Sequence, residues 1–295
     1  MISKPFKSEA AHMQPPRPRP ADLPNFERPP VTEIVLSIQF AALPAFRAFH
    51  VGLLWERLRQ EYPNASEQPP LAPVFETFGA ALAFAPPRLE IQTLLSPPMH
   101  RFWFETADGR ELLQVQQDRV LHNWRKRERE QEYPRYETVR ERFVSDLGVL
   151  GDFLDKEGLG EVRPNQCEVN YINSIELVDS DNPYSRLERI TPLWTGRFAE
   201  NYGNDIENTA IQSRFVLRQD GGPYGRVYVS FTPAVLPVEN RSVVRLDITV
   251  RAKPREETLE SAFDMLDQAR EIVVRTFAAV TTPELWEMWG RTNAK

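Results

Sequence analysis

The chain has 295 residues, 41% of them hydrophobic and 26% charged, which is enough for a large buried core and allows one big domain or two of ordinary size. Its net charge of -6 offers no long-range attraction to nucleic-acid phosphates or anionic lipid, so nucleic acid is a conceivable partner but not a favoured one. Cys167 is the only cysteine, which excludes an intrachain disulfide and a thiolate metal cage and fits a reducing compartment.

Residues 1–28 form the first predicted segment, a flexible, extended, proline-rich tail. Its run PPRPRP, residues 15–20, favours polyproline II and carries positive charge. The N-terminus lacks the apolar stretch of a secretory signal, and no segment approaches the roughly 18 apolar residues of a membrane span. We therefore expect a cytoplasmic protein with no membrane partner.

Residues 29–180 are predicted to form an N-terminal α+β half. Alternation of apolar and polar residues indicates strands over 32–40, 88–94, 101–106, 111–117, 119–125 and 166–178. The Asp108-Gly109 pair is typical of a hairpin turn because it tolerates positive φ. Apolar residues at helical spacing predict one helix over 46–62 and another from Pro134 to Gly158.

Residues 181–295 are predicted to form a C-terminal α+β half packed against the first. Strands are indicated over 206–218, 226–232 and 242–251, followed by a long amphipathic helix over 254–280 and a short helical turn that Gly290 ends. The predicted fold is therefore α+β, with two antiparallel β-meanders each backed by a long amphipathic helix. The similar order of 111–156 and 225–280 suggests an internal duplication as a hypothesis.

Catalytic and metal-binding motifs are missing from the sequence. It contains no nucleophile elbow, no zinc-protease motif and no glycine-rich loop that joins a strand to a helix. We therefore predict no catalytic residue, no metal and no cofactor. A hydrolase or nuclease with a dispersed site is a third hypothesis, and it requires His122 or the strand carboxylates to converge in the fold. These carboxylates are Glu33, Glu90, Glu105, Glu168, Glu176 and Asp247.

Two groups of residues are candidates for contact with a partner. The first is the basic run Trp124, Arg125, Lys126 and Arg127, since basic residues beside an aromatic suit nucleic acid or an acidic protein, although the alternative is a solvated loop. The second is Trp286 and Trp289, which share a face of the last helical turn and form either a docking patch or a seal on the core.

The strand faces away from the core are rich in amides and paired charges. If the sheets curve toward each other, these residues line a polar cavity or an interface, and if the sheets are open they face water. The candidates are Gln114, Gln116, Asn123, Arg214, Arg245 and Asp247.

Several phrases of the sequence carry a family resemblance. RPPVTEIVLSIQF, RFWFETADGRELLQVQQDRVLHNWRK and QCEVNYINSI resemble a sporadically distributed family of uncharacterised bacterial and archaeal proteins. The likeness extends from about residue 29 to the C-terminus. The resemblance implies no cofactor and no catalytic residue for this chain. The patchy occurrence of the family implies genes that move horizontally, as defence, toxin–antitoxin and mobile-element genes do.

Two functions are predicted from these observations. The leading one is a non-enzymatic binding protein whose partner is another protein or a second copy of the chain. The family resemblance adds the hypothesis that it is an accessory to a defence, toxin–antitoxin or mobile-element system. The alternative is a small-molecule-binding protein whose sheet and long C-terminal helix enclose a pocket, as in helix-grip folds.

Overall fold

The computed structural model describes residues 15–79, 99–177, 182–196, 206–219, 221–236 and 240–292. Within them lie the strands β1 (Val31–Phe40), β2 (Asn64–Gln68), β3 (Arg101–Glu105), β4 (Glu111–Gln116), β5 (Arg119–Arg125), β6 (Pro164–Ile175), β7 (Ile211–Gln219), β8 (Gly222–Leu236) and β9 (Arg241–Ala252). The helices are α1 (Ala48–Leu58), α2 (Tyr136–Glu157), α3 (Leu259–Val280) and α4 (Pro283–Met288), and a 3₁₀ helix spans Pro183–Arg189. The predicted α+β class is confirmed.

The strands form one continuous sheet in the order β2-β3-β4-β5-β1-β6-β9-β8-β7, and each neighbouring pair is antiparallel. In the middle strand, Leu36 lies opposite His122 of β5 on one side and Val169 of β6 on the other. The pairing of β6 with β9 joins the strands of 29–180 to those of 181–295 within the same sheet.

One face of this sheet carries the core. The β1 side chains of Ile34, Leu36 and Ile38 are fully buried, as their alternation predicts. On this face α2 contacts β5 and β1, and α3 contacts β6 and β9. We call the opposite side of the sheet the polar face.

A capping residue fixes one end of each long helix. Gly158 follows α2 with φ of 65°, a left-handed conformation that glycine adopts without a steric penalty. The start of α3 is at Leu259 rather than the predicted 254, because the Thr258 side chain accepts a hydrogen bond from the Ser261 backbone N–H at 3.2 Å and caps the helix there.

One described strand, β2, was not predicted. Its residues NASEQ have no apolar alternation, because it lies at the edge of the sheet, pairs only with β3 and is largely exposed. Residues 206–210 precede β7 rather than belong to it. The predicted strand over 88–94 lies outside the described residues.

Residues 15–28, the described part of the predicted flexible tail, are packed against the C-terminal helices. Leu23 and Phe26 are buried. The Arg17 backbone N–H donates to Asp267 of α3 at 3.1 Å, and Phe26 pairs with Arg291 beyond α4. This part of the chain therefore contributes to the core, and residues 1–14 lie outside the described residues.

Candidate functional site

A buried hydrogen-bond network lies on the polar face across β3, β4, β5 and β1. The Gln114 amide oxygen accepts from Arg101 at 2.8 Å and from the Trp103 indole at 3.0 Å, and its amide nitrogen donates to Asn123 at 2.6 Å. Asn123 in turn donates to Glu33 at 2.6 Å. Gln114 and Asn123 are only 4% exposed, so these polar groups satisfy each other rather than face water.

Residues 71–79, which we call the crossing segment, lie over this face. The Gln116 side chain exchanges two hydrogen bonds with the Leu71 backbone, at 2.8 and 2.9 Å. Farther along, the Gln39 amide oxygen accepts from the Val74 backbone N–H at 2.9 Å. The sheet therefore holds this irregular segment by side-chain to backbone hydrogen bonds.

The crossing segment is anchored at its far end by a carboxylate clamp. The Glu76 side chain, 4% exposed, accepts hydrogen bonds from Arg226, from the Tyr228 hydroxyl at 2.7 Å and from Arg251 at 3.3 Å. Arg251 also pairs with Glu168 at 2.5 Å. We call Arg226, Tyr228 and Arg251 the Glu76 clamp, since two guanidinium groups and a hydroxyl converge on one carboxylate.

The other three predicted polar-face residues remain accessible. Arg245 is paired with Asp247 at 2.9 Å, with 44% and 26% of their side chains exposed. The exposed Arg214 lies over the ring of Tyr228, 5.6 Å from its centroid. The structure thus joins Gln114 to Asn123, places Gln116 against the crossing segment and leaves the other three on open strands.

The predicted basic run is used within the protein. Trp124 is 2% exposed and points into the core. Arg125 pairs with Glu105, while Arg125 and Arg127 both donate to the Gly109 carbonyl, at 3.0 and 2.8 Å. Lys126 donates its backbone N–H to Thr32 at 2.7 Å. The contacts of Arg125 and Arg127 fix the hairpin turn after β3, although 44% of the Arg127 side chain is exposed. Partner contact through this run stays a prediction.

The two C-terminal tryptophans close one end of the core. Trp289 is 6% exposed and packs against Phe277 and Phe26, with ring centroids 5.1 and 6.2 Å apart. Trp286 is half-buried, donates to Thr281 at 2.9 Å and lies beneath the Arg291 guanidinium. This placement matches a seal on the core more closely than an exposed docking patch.

A histidine lies between two carboxylates on the core face. His122 of β5 is fully buried, with its Nδ1 2.7 Å from Asp146 of α2 and its Nε2 2.7 Å from Glu111 of β4. The Tyr62 hydroxyl donates to Asp146 at 3.0 Å. Burial lowers the pKa of His122, but the hydrogen bonds and charges of both carboxylates outweigh it and raise the pKa to about 9.

The hydrolase hypothesis requires His122 or the predicted strand carboxylates to converge, and His122 here meets two carboxylates outside that predicted set. In the charged form both ring nitrogens donate to carboxylates, so neither has a lone pair with which to take a proton from a substrate. Only Glu111, with 19% of its side chain exposed, reaches a surface groove. The arrangement therefore suits a buried charge cluster that joins α2 to the sheet.

Asp146 and Glu111 were not among the predicted site residues, although the sequence carries a signal for each. Asp146 lies three residues after Phe143 and four before Leu150, so it interrupts the apolar stripe of α2. Glu111 alternates with Leu113 and therefore shares the core face of β4. A carboxylate on an apolar stripe needs a buried partner, and this requirement is the available clue.

The buried histidine makes the stability of the protein depend on pH. We expect the free energy of unfolding to fall by about 3 kcal/mol between pH 6.5 and about 9. The folded pKa lies above the ordinary value of 6.5, so the stabilisation is complete below pH 6.5 and is lost as the pH rises through 9. Urea unfolding at a series of pH values measures this slope.

The control for this prediction is an exposed histidine. His122→Gln should flatten the slope, whereas His100→Gln, which removes an exposed ring beside Glu67, should retain it. An unchanged slope in His122→Gln would show that other groups cause the pH dependence.

No protein-family model matches this chain, and no curated protein matches it. The family resemblance stays a prediction. Among the described residues no group of three or more His, Cys, Asp or Glu side chains could hold a metal ion. Within the same residues, every helix is too short or too polar to cross a membrane.

Proposed function

We propose that the chain is a non-enzymatic binding protein whose macromolecular partner docks on the polar face of β7, β8 and β9. The Glu76 clamp is the observation that supports this proposal. In this clamp, side chains of the sheet bind a carboxylate of an irregular segment. Arg214 and Arg245 place two more guanidinium groups on the exposed part of the same face. A partner with an acidic, extended segment fits this surface.

The charge of this surface differs from that of the whole chain. The polar face of β7–β9 carries arginines at five positions, and four of them pair with the carboxylates of Glu76, Glu168, Glu176 and Asp247. The balance is one positive charge, whereas the chain has a net charge of -6. The five arginines are Arg214, Arg226, Arg241, Arg245 and Arg251. A local excess of arginine attracts an acidic partner, and this attraction weakens as salt rises.

A second copy of the chain is the other partner that we consider. β7 ends the sheet order, and its residues Phe215 and Val216 are 45% and 42% exposed. Exposed edge strands pair with other strands, so a homo-oligomer through β7 would cover them. The proposed role as an accessory to a defence, toxin–antitoxin or mobile-element system rests on the family resemblance alone.

The order of the elements supports the hypothesis of an internal duplication. The series β1, β4, β5, α2 matches β6, β8, β9, α3: β1 lies beside β5, β6 lies beside β9, and a 22-residue helix follows each of β5 and β9. On this hypothesis two meanders, each backed by its own helix, meet where β1 pairs with β6.

Charge reversal tests the docking surface. We expect Arg214→Glu/Arg245→Glu to weaken binding of the native partner by roughly tenfold or more, because like charges across an interface are costly. The partner is first purified with the wild-type chain from the native host, and its affinity is measured at low and high salt. The matched control is Arg59→Glu/Arg163→Glu, which reverses two exposed arginines away from the polar face.

Four outcomes decide the proposal. Selective loss in the polar-face variant supports it, and equal binding by both variants contradicts it. A wild-type protein that light scattering shows to be monomeric, and that retains no macromolecule from the host, also contradicts it. Self-association that the polar-face variant loses identifies a second copy as the partner.

We propose small-molecule binding as a second candidate function, because a cavity of about 50 Å³ lies between the sheet and α3. Residues 19–29 close it on one side, and the start of α2 closes it on another. This position between a sheet and its long C-terminal helix resembles the arrangement expected for a helix-grip pocket.

A further inference from the structure

The cavity beside α3 contains a buried acceptor with no partner. Asn173 of β6 lines the cavity and is 1% exposed. Its amide nitrogen donates to the Leu246 carbonyl at 3.1 Å, which fixes the orientation of the amide, while its Oδ1 has no hydrogen-bond partner among the described residues. A buried amide oxygen without a donor is costly, so the cavity needs an occupant that carries a proton.

A hydrogen-bonded pair of tyrosines also lines this cavity. Tyr133 and Tyr171 both line the cavity, and their hydroxyl oxygens are 3.1 Å apart. Only one of the two protons can lie between these oxygens, so the other hydroxyl has a proton to donate elsewhere. The occupant must therefore also accept a hydrogen bond.

Cations outnumber carboxylates around the cavity. Arg270 is 5% exposed and pairs with Glu137 at 2.8 Å, whereas Arg19 and Arg135 lie on the exposed rim and donate to backbone carbonyls, at 2.6 and 3.1 Å. Three guanidinium groups thus accompany one carboxylate. Burial lowers the pKa of Arg19, and repulsion from Arg270 and Arg135 lowers it further, as expected for cations with too little negative charge nearby.

The size of the cavity limits what it can hold. A single water needs about 15 Å³ on the same scale, so a cavity of about 50 Å³ accepts an ion of a few heavy atoms. α2 also begins here, at Tyr136, without a side-chain cap on its N-terminus, so the positive end of its dipole lies beside the cavity.

We propose that this cavity binds a small protonated oxyanion of the class of hydrogenphosphate or hydrogencarbonate. Its charged oxygens accept from the Arg270 and Arg19 guanidinium groups and from the free tyrosine hydroxyl proton, and its own O–H donates to Asn173 Oδ1. The inference rests on the small-molecule function proposed above and is independent of the polar face.

Matched pairs of anions test the proton requirement. Binding to the full-length chain is measured by titration calorimetry near neutral pH, with phosphate against sulfate and bicarbonate against nitrate. Each pair shares a shape, but only the first member carries a proton to donate. We expect the protonated member of at least one pair to bind about tenfold more tightly, the value of a hydrogen bond to a charged group. Equal affinity within both pairs, or no binding of any anion, would overturn the proposal.

Rim and wall variants locate the site. Arg19→Gln should weaken phosphate or bicarbonate about tenfold, while Arg17→Gln, on the same segment but paired with Asp264 outside the cavity, should leave it unchanged. Asn173→Asp keeps the shape of the side chain but places a carboxylate against the anion, and should abolish binding if the variant folds. Equal effects of the two arginine variants would exclude this cavity as the site.

Native mass spectrometry separates failure of the ligand class from failure of the function. If no oxyanion binds but the chain from its native host carries another small molecule that Arg19→Gln loses, the oxyanion assignment is wrong and the pocket function stands. If the chain carries no small molecule at all, both are wrong.

Discussion

Replacing Asp146 with alanine is expected to lower the free energy of unfolding by about 3–5 kcal/mol. The substitution removes the carboxylate from the Nδ1 side of the fully buried His122 and leaves the Tyr62 hydroxyl without an acceptor. A buried cation that loses one of two counter-charges, together with an unsatisfied hydroxyl, accounts for the size of the loss. Chemical unfolding at pH 6, where the imidazole is charged, gives the measurement.

Asp155→Ala is the matched control, since Asp155 is exposed near the end of the same helix. It should change the free energy of unfolding by less than about 0.5 kcal/mol. Asp146→Asn keeps an acceptor but removes the charge, and it should fall between the two. If Asp146→Ala and Asp155→Ala have the same effect, the histidine cluster does not hold α2 on the sheet.

The second large effect is expected at the contact between the two long helices. Asp267 of α3 is 4% exposed and accepts from Arg140 of α2 at 2.7 Å, from the Tyr136 hydroxyl at 2.6 Å and from the Arg17 backbone at 3.1 Å. Asp267→Ala leaves Arg140, itself 4% exposed, without this carboxylate. We expect a loss of about 3–5 kcal/mol, measured as a shift of the urea unfolding midpoint.

Asp264→Ala provides the comparison, because it lies one turn earlier on the same helix and binds the Arg17 side chain at 2.5 Å, but with 35% of its own side chain exposed. A surface ion pair of this kind contributes about 1 kcal/mol or less. A small loss in Asp267→Ala, comparable with that in Asp264→Ala, would show that the buried pair does not hold the helices together.

Most strands and helices could be predicted because their patterns are local. In β1 the alternation of Ile34, Leu36 and Ile38 indicates a strand with one buried face. In α2 the spacing of Val139, Phe143 and Leu147 indicates a helix with one buried face. β2 was not predicted because an exposed edge strand has no buried face, so its sequence does not alternate between apolar and polar residues.

The candidate sites were harder to predict, because their members are far apart in the chain. Glu76 meets Arg226 across 150 residues, and Asn173 meets Leu246 across 73. Each residue alone has an ordinary explanation as a solvated or turn residue. For the tryptophans at 124, 286 and 289 the sequence suggested contact with a partner, but the structure packs them within the protein. Trp124 and Trp289 are buried, and Trp286 is half-buried.

The amino-acid sequence by itself determined the alternating strands and the two long amphipathic helices, since periodicity depends on neighbours a few residues away. Only the tertiary structure decided that the strands join into one sheet, that His122 lies between Glu111 and Asp146, and that three arginines surround one cavity. The physical reason is that burial favours any apolar partner, whereas a buried charge or amide is tolerated only where a specific distant group completes its hydrogen bonds.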